Sequence, residues 1–136
     1  MLLVDTGPII AAADRSDHHH AACLDLLEQS EGPLITSPLV IAEAAYLLCR
    51  KLGPAAEISL FDSIVQGDLI MAELKAATWA RIRELADRYK DLPLGGTDAS
   101  VVALAEQLRT TQVATTDRKH FHVVRPVHVP AFTLLP

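Results

Sequence analysis

The sequence predicts an α/β fold in which helices cover both faces of a mostly parallel sheet. Short β-like runs alternate with longer helical patterns along the chain, which is the layout of this fold class. Half of the 136 residues are apolar and 21% are charged, a composition typical of a globular domain. A chain of this length has room for one hydrophobic core. We therefore expect a single domain spanning residues 1–136.

Four short apolar runs are the candidate strands. They are residues 2–4, 34–36, 69–71 and 113–115. The turn-forming residues 5–8 end the first run, so Asp5 lies at its carboxyl end. Asp117 follows the last run in the same way. Because the carboxyl ends of parallel strands meet at one edge of a sheet, we expect these two acids to lie close together.

Apolar residues at helical spacing predict the helices between these strands. The predicted ranges are about 18–29, 39–49, 54–65, 75–89 and 98–108. Ser37 is placed as an N-cap with Pro38 at the first helical position, and Thr97 as the cap of the last helix. We expect the periodic apolar residues to face the core or a neighbouring helix. They are Ala22, Leu24 and Leu27 or their neighbours, then Ile58, Phe61 and Ile64, and then Trp79, Ile82, Leu85, Ala86 and Tyr89.

The helix over 39–49 contains one charged residue, Glu43, among apolar and aromatic neighbours. A helix without a polar face is expected to be buried nearly all round, so Glu43 would have little access to water. A buried carboxylate is costly unless it is paired, protonated or bound to a metal. Arg50 and Lys51 are seven and eight positions away, which is poor spacing for pairing on a helix. A metal-ligand role for Glu43 is therefore favoured.

Asp98 lies in the first turn of its predicted helix, where complementing the helix dipole is sufficient reason for an acid. The predicted fold nevertheless brings Asp98 to the edge where Asp5 and Asp117 lie, with Glu43 nearby. Four carboxylates in one cleft repel each other unless cations are present. Oxygen ligands suit Mg²⁺ or Mn²⁺, and such ions support hydrolysis of phosphodiesters.

The net charge and the aromatic content of the chain count against a role in nucleic-acid binding. The formal net charge is −5, and aromatic residues make up 4% of the chain, so base stacking on aromatic platforms has little material. Two basic groups could form a local binding rim. They are Arg81, Arg83, Arg88 and Lys90, and Arg118 with Lys119. The alternative is an ordinary helix surface in which Arg83 pairs with Asp87 and Glu84 with Arg88.

Four short segments, in this order, resemble the motifs of the PIN-domain ribonucleases, and among them the VapC-type toxins of VapBC toxin–antitoxin systems. The resemblance covers essentially the whole chain. The segments are Leu3-Val4-Asp5-Thr6, Ser37 to Glu43, Leu92-Pro93-Leu94-Gly95 with Thr97-Asp98-Ala99-Ser100, and Thr115 to Phe121. At Gly95-Gly96 the sequence departs from the family pattern, which usually has a bulkier residue at the second position.

The resemblance implies a three-layer α/β/α sandwich, a homodimer, and Mg²⁺-dependent cleavage of RNA, with Mn²⁺ as a possible substitute. It implies tRNA or rRNA as the substrate and a cognate VapB-type antitoxin that covers the active site. By this carry-over Asp5, Glu43, Asp98 and Asp117 are the metal ligands and orient the attacking water. Thr115 matches a hydroxyl near the metal or substrate, and Thr6 and Arg118 are further candidate substrate contacts. His120 is interpreted as a surface residue, with a contact to RNA as the alternative.

Two other functions remain open. A phosphorelay receiver also has an acidic Mg²⁺ pocket, but it requires a second acid beside Asp5, where this chain has Thr6-Gly7-Pro8. A non-catalytic PIN-like module that only binds RNA or a protein would keep the fold without the activity. The N-terminus lacks signal-peptide features and no apolar run is long enough to cross a membrane. We therefore expect a cytoplasmic protein.

Overall fold

In the computed structural model, which describes residues 1–136, five parallel strands form one sheet. In chain order they are β1 (Leu2–Val4), β2 (Leu34–Thr36), β3 (Ile70–Met71), β4 (Gln112–Ala114) and β5 (Thr133–Leu135). Their order across the sheet is β3-β2-β1-β4-β5. The chain builds outward from β1 on one side and then returns to the other, which creates a switch point between β1 and β4. Ligand sites of open α/β sheets lie outside the carboxyl ends of strands at such points.

Helices flank this sheet and complete the predicted α/β/α sandwich. They are α1 (Thr6–Ala13), α2 (His20–Gln29), α3 (Pro38–Leu52), α4 (Pro54–Gln66), α5 (Ala76–Arg88), α6 (Gly95–Leu108) and α7 (Arg118–Val123). The strongest helix contacts are α5 on α6, α3 on α4 and α1 on α2. The sequence analysis predicted neither α7 nor β5. None of the helices combines the length and apolar composition needed to cross a membrane.

The hydrophobic core lies along the central strands and α6. Leu3, Val4 and Val113 on the strands are 0% exposed, as are Val101 and Leu104 on α6. Strands that are covered on both faces are expected to be continuously apolar rather than alternating. The short apolar runs β1 and β4 follow this rule. Asp5 and Asp117 therefore follow strands that lie in the most deeply buried part of the molecule.

The segment after β1 is a helix and not the predicted turn. Helix α1 begins at Thr6, immediately after Asp5. Pro8 is tolerated there because the first helical turn has amide groups without intrahelical partners. Gly7 is required by packing, since a Cβ atom at this position would overlap Thr116 Oγ1. The start of α1 and the loop after β4 are therefore in direct contact.

The expectation that α3 is buried nearly all round is wrong. The buried side contains Val40, Ala44 and Leu48, whereas Glu43 is exposed and Tyr46 is 59% exposed. A sheet and its neighbouring helices cover only one side of α3. Apolar residues on the other side therefore remain exposed to water, which is common on protein surfaces. Sequence periodicity could not show which side that was.

Four other predicted core positions are also exposed. Ala22 is exposed while its neighbour Cys23 is 0% exposed, and Trp79 is 48% exposed while Thr78 is buried. On α4 the buried residue is Leu60, and the predicted face carries Ile58 and Phe61, which are 56% and 43% exposed. In each helix the buried stripe is narrower than the apolar pattern. The predicted core positions Ile82 and Leu85 of α5 are buried as expected.

Candidate active site

Asp5 is the most buried acid of the site. It follows β1, precedes α1, and is 4% exposed. Its Oδ2 atom accepts a hydrogen bond of 2.8 Å from Thr115 Oγ1, while its Oδ1 atom is buried without a hydrogen-bond partner. Buried polar atoms in proteins are nearly always satisfied, so an orphaned carboxylate oxygen needs an explanation. A divalent cation bound by this oxygen would supply the partner, and the neighbouring carboxylates support such a site.

The pKa of Asp5 is raised from 3.8 to about 6, first by burial and then by the negative charges of Asp98 and Glu43. Hydrogen bonds from Thr115 and the Thr6 backbone oppose the shift. Desolvation and like charges both disfavour the ionised form of a carboxyl group. The folded protein therefore holds Asp5 in an environment that disfavours its charge unless a cation compensates.

Thr115 connects two of the predicted site residues. It follows β4, is 1% exposed, and donates its hydroxyl hydrogen to Asp5. The same Oγ1 atom accepts a hydrogen bond of 3.0 Å from the backbone N–H of Asp117. One hydroxyl group therefore fixes the Asp5 side chain and the backbone at Asp117. Because both of its hydrogen bonds are internal, this threonine acts here as a positioning residue.

Glu43 reaches the site from the exposed side of α3. Its Oε2 atom accepts a hydrogen bond of 2.6 Å from Thr6 Oγ1, and Thr6 is buried in the first turn of α1. The negative charge of Glu43 contributes to the raised pKa values of both Asp5 and Asp98. Glu43 therefore lies near the other acids, as predicted, although it is not buried as predicted. The Thr6 hydroxyl therefore holds the Glu43 side chain in position through this hydrogen bond.

Asp98, Asp117 and His120 form the tightest group of potential ligands. His120 Nδ1 lies 2.9 Å from Asp98 Oδ2 and 2.9 Å from Asp117 Oδ2. One ligand atom from each of the three residues lies within 4.8 Å of the other two. Burial and the nearby charges of Asp117 and Glu43 raise the pKa of Asp98, and the hydrogen bond to His120 lowers it. The interpretation of His120 as a plain surface residue is therefore wrong.

A buried chain of hydroxyl groups fixes the position of Asp98 relative to α3. Ser37 and Ser100 are both 0% exposed, and their Oγ atoms are 2.6 Å apart. Ser100 donates to the carbonyl of Thr97 and Ser37 accepts from the Val40 N–H, so Ser37 is the donor between the two serines. This confirms Ser37 as the N-cap of α3. Thr97 is not the cap of α6, because that helix already begins at Gly95.

The basic residues are arranged differently from either prediction. Arg81 is committed to Glu106, which its guanidinium contacts through two hydrogen bonds of 2.9 and 3.0 Å. It also pairs with Glu84 at 3.0 Å. The predicted pairs of Arg83 with Asp87 and Glu84 with Arg88 do not form; Asp87 instead contacts Lys90 at 3.9 Å. Arg81 is therefore unavailable to a nucleic acid.

The basic pair after Asp117 lies beside the site. Arg118 and Lys119 are exposed in the first turn of α7, and Arg118 donates a hydrogen bond to the Pro136 carbonyl. The same turn carries His120, which the sequence analysis did not include among the site residues. Its available signal was the spacing: His120 follows Asp117 by three positions, so an N-cap acid and its third helical residue meet. Without a prediction of α7, that signal could not be used.

The fold and this acidic site define a known class of protein. The family model described as "PIN domain" matches residues 2–126. The chain therefore belongs to the PIN-domain family. Among individual relatives, Ribonuclease VapC26 of Mycobacterium tuberculosis is 32% identical over 135 residues, which cover 99% of this chain and 100% of that protein.

Solved structures show the same fold. The crystal structure of Mycobacterium tuberculosis VapC20, described as a sarcin-ricin loop cleaving toxin, superposes with a TM-score of 0.83 at 19% identity. That match covers 96% of this chain and 99% of VapC20. FitAcB from Neisseria gonorrhoeae is 25% identical with a TM-score of 0.59, and the match covers 98% of this chain and 97% of the other. Both cover the length over which the sequence resembles PIN domains.

Proposed function

We propose that this protein is a Mg²⁺-dependent endoribonuclease that hydrolyses RNA phosphodiester bonds and acts as the toxin of a toxin–antitoxin pair. The observation that carries the proposal is the convergence of Asp5, Glu43, Asp98 and Asp117 outside the carboxyl ends of β1 and β4. The similarity to Ribonuclease VapC26 over nearly the whole chain supports the same activity. Because the proposed substrate is cellular RNA, a cytoplasmic location is part of the proposal.

The residues present fit a divalent metal ion. The buried Oδ1 atom of Asp5 has no hydrogen-bond partner, and the Asp98 and Asp117 side chains offer further oxygen atoms. Mg²⁺ prefers carboxylate oxygens together with several water molecules, and Mn²⁺ accepts the same ligands. Asp5, Asp98 and Asp117 would hold the ion directly, and Glu43 would complete the group. Bound there, the ion supplies positive charge that stabilises the developing negative charge of a phosphodiester undergoing hydrolysis.

The protein contributes positioning and charge. Thr115 holds Asp5 in one orientation, and Thr6 does the same for Glu43 at 2.6 Å. Preorganised ligands of this kind need no rearrangement when the reaction proceeds, which is a principal source of catalytic power. Glu43 is exposed and can contact water on the solvent side of the cluster. We assign it the orientation of the attacking water.

RNA binding is assigned to the basic turn beside the acids. Arg118 and Lys119 are exposed and follow Asp117 directly, so a phosphate held by them would lie next to the carboxylate cluster. Phosphate contacts dominate affinity and make it sensitive to salt. The proposed substrate is a structured RNA, tRNA or rRNA, because exposed loops of such RNAs can reach a shallow site. VapC20, a fold relative, is itself described as cleaving the sarcin-ricin loop.

A VapB-type antitoxin is the proposed partner, since fold relatives include the VapBC complexes of Rickettsia felis and Salmonella typhimurium. Exposed apolar residues on α3 and α4 offer surfaces for the antitoxin and for the proposed homodimer. They are Tyr46, Leu52, Ile58, Phe61 and Val65, exposed by 59%, 41%, 56%, 43% and 85%. Apolar patches of this kind on a protein surface commonly mark interfaces.

The deciding experiment is cleavage of total cellular RNA by the purified, antitoxin-free protein with Mg²⁺, with EDTA, and with the Asp5→Asn variant. We expect discrete RNA fragments from the wild type with Mg²⁺ and none under the other two conditions. The matched control is Asp62→Asn, which removes an exposed acid of α4 and should leave cleavage unchanged. Sequencing the fragment ends would identify the RNA and the bond.

The alternative of a non-catalytic binding module predicts a different result. RNA that stays intact with every divalent ion, while the folded protein still retains RNA on a filter, would replace the nuclease assignment. Loss of cleavage in both Asp5→Asn and Asp62→Asn would also count against the nuclease assignment, because the loss would then not be specific to the acidic site. Thermal melting of each variant separates loss of function from loss of fold.

A further inference from the structure

His120 is placed between two carboxylates that come from different parts of the chain. Asp98 approaches from α6, while Asp117 and His120 belong to α7 and its N-cap. The Nδ1 atom of His120 is 2.9 Å from one oxygen of each acid. A neutral or protonated imidazole has only one hydrogen at Nδ1, so it cannot form two full hydrogen bonds to both oxygens. Two carboxylate oxygens, one from Asp98 and one from Asp117, therefore share a single donor at His120 Nδ1.

The orientation of the ring is fixed by the protein. Asp117 Oδ1 accepts a hydrogen bond of 3.3 Å from the backbone N–H of His120, while Oδ2 of the same carboxylate contacts the ring. The His120 side chain is 21% exposed, so most of it is held among neighbours. Preorganisation of a ligand nitrogen by contacts of this kind is a general feature of metal-binding histidines.

The distances fit a shared cation as well as they fit a hydrogen bond. For an ion bound at 2.0–2.1 Å with ligands at right angles, adjacent ligand atoms are about 2.9–3.0 Å apart. Both His120 contacts have this separation. A second, independent observation lies at the neighbouring acid: Asp5 is 4% exposed and its Oδ1 atom has no partner. The charge of Asp98 acts on Asp5, so this unpartnered oxygen belongs to a carboxylate that lies near the group of Asp98, Asp117 and His120.

We propose that His120 is a metal ligand through Nδ1, and that its nitrogen makes this cluster prefer Mn²⁺ to Mg²⁺. The inference rests on the proposed metal-dependent function and adds a ligand to that site. Imidazole nitrogen is a ligand for first-row transition ions, of which Mn²⁺ is one, whereas Mg²⁺ is bound almost entirely by oxygen. Removal of His120 should therefore weaken Mn²⁺ binding much more than Mg²⁺ binding.

The test measures metal binding without RNA. Purified protein is stripped with chelator, loaded with Mn²⁺, and examined by pulsed electron paramagnetic resonance, which detects ¹⁴N nuclei coupled to the ion. We expect a nitrogen coupling in the wild type that disappears in His120→Ala. By calorimetry, His120→Ala should lower the Mn²⁺ affinity at least about 10-fold and change the Mg²⁺ affinity by less than about 3-fold. His122→Ala removes an exposed histidine of the same helix and should change neither.

The outcomes separate this inference from the proposed function. Mn²⁺ bound without nitrogen coupling in the wild type would overturn the role of His120, whether or not the protein cleaves RNA. Nitrogen coupling that depends on His120 would support the ligand assignment even if no RNA substrate were cut. If the stripped wild type binds no divalent ion at all, the ligand assignment fails together with the metal-dependent part of the proposed function. The wild-type spectrum needs no variant, so misfolding of His120→Ala cannot obscure the result.

Discussion

The two halves of the acidic site are built differently. Asp5 and Thr115 follow the central strands β1 and β4, are almost fully buried, and are held by a hydrogen bond of 2.8 Å. Asp98 and Asp117 lie at helix starts, their side chains are 18% and 43% exposed, and His120 lies between them. The buried half has a rigid geometry at a high electrostatic cost. The outer half is accessible to solvent and depends on side-chain contacts.

This difference assigns the two halves different tasks. A carboxylate whose charge is disfavoured by burial gains most when a cation binds, so Asp5 is suited to anchor a metal ion. The outer acids are more exposed and can contact both an ion and a phosphate that arrives from solvent. Four variants test the contrast, and they are described from the largest expected effect to the smallest.

Asp5→Asn should stabilise the metal-free protein at neutral pH. Because the pKa of Asp5 is about 6 in the folded state and 3.8 as a free side chain, the unfolded chain loses this proton first as pH rises. The stability of the wild type should therefore fall between about pH 4 and pH 6, and the loss should persist above that range. The variant removes a cost of about 3 kcal/mol at most.

Urea unfolding of the metal-free protein at pH 4 and pH 7 measures this effect. The matched variant Asp117→Asn changes an acid with 43% side-chain exposure and keeps an N-cap acceptor, so its stability should change little. Equal gains for both variants would remove the distinction between the two halves. Mg²⁺ should raise the melting temperature of the wild type and not of Asp5→Asn, because ligand binding to the folded state stabilises it.

Gly7→Ala should disturb both halves of the site through a steric clash. The new Cβ atom would overlap Thr116 Oγ1, which lies next to Asp117. We expect a loss of about 1 to 3 kcal/mol, as for other overpacked sites, together with reduced cleavage. The control is Gly96→Ala, whose Cβ would lie at an ordinary 3.7 Å from Leu39. If Gly7→Ala unfolds in urea and cleaves RNA like the wild type, the contact between α1 and the β4–α7 loop is unimportant.

Thr115→Val keeps the shape of the side chain and removes the hydroxyl group. Asp5 Oδ2 and the Asp117 N–H then lose a partner in a buried region, and a bond to a charged group contributes about 1.5–3 kcal/mol. We expect a loss of about 2 kcal/mol, larger at pH 7 than at pH 4 because the bond stabilises the ionised Asp5. A loss of the same size at both pH values would show that the hydroxyl does not act through Asp5.

Ser100→Ala should have the smallest effect, because it removes a neutral hydrogen-bond link. The Ser37 hydroxyl loses its acceptor, and α3 and α6 lose one connection. We expect a loss of about 1 kcal/mol and a modest decrease in metal affinity as Asp98 becomes less fixed relative to Glu43. Ser59→Ala, on the exposed surface of α4, is the control and should change neither quantity.

The sequence predicted most of the site residues for a physical reason. Residues that follow buried parallel strands emerge at one sheet edge, so Asp5 and Asp117 could be placed by recognising two apolar runs. The Ser37-Pro38 helix start is a local signal of the same kind, and the structure contains it. The pattern failed where burial depends on neighbours. Glu43 and Trp79 were expected in buried surroundings, yet both are exposed.

By itself the sequence determined the ends of β1 and β2, the start of α3 at Ser37-Pro38 and the order of the acids along the chain, because these depend on residues near each other in sequence. Only the tertiary structure decided which stripe of each helix is covered. It also decided that Thr115 holds Asp5 and that His120 lies between Asp98 and Asp117. Those contacts join residues that are 110 and 22 positions apart. Contacts between residues so far apart in sequence are fixed by packing of the whole sheet and its helices. Local propensity carries no information about them.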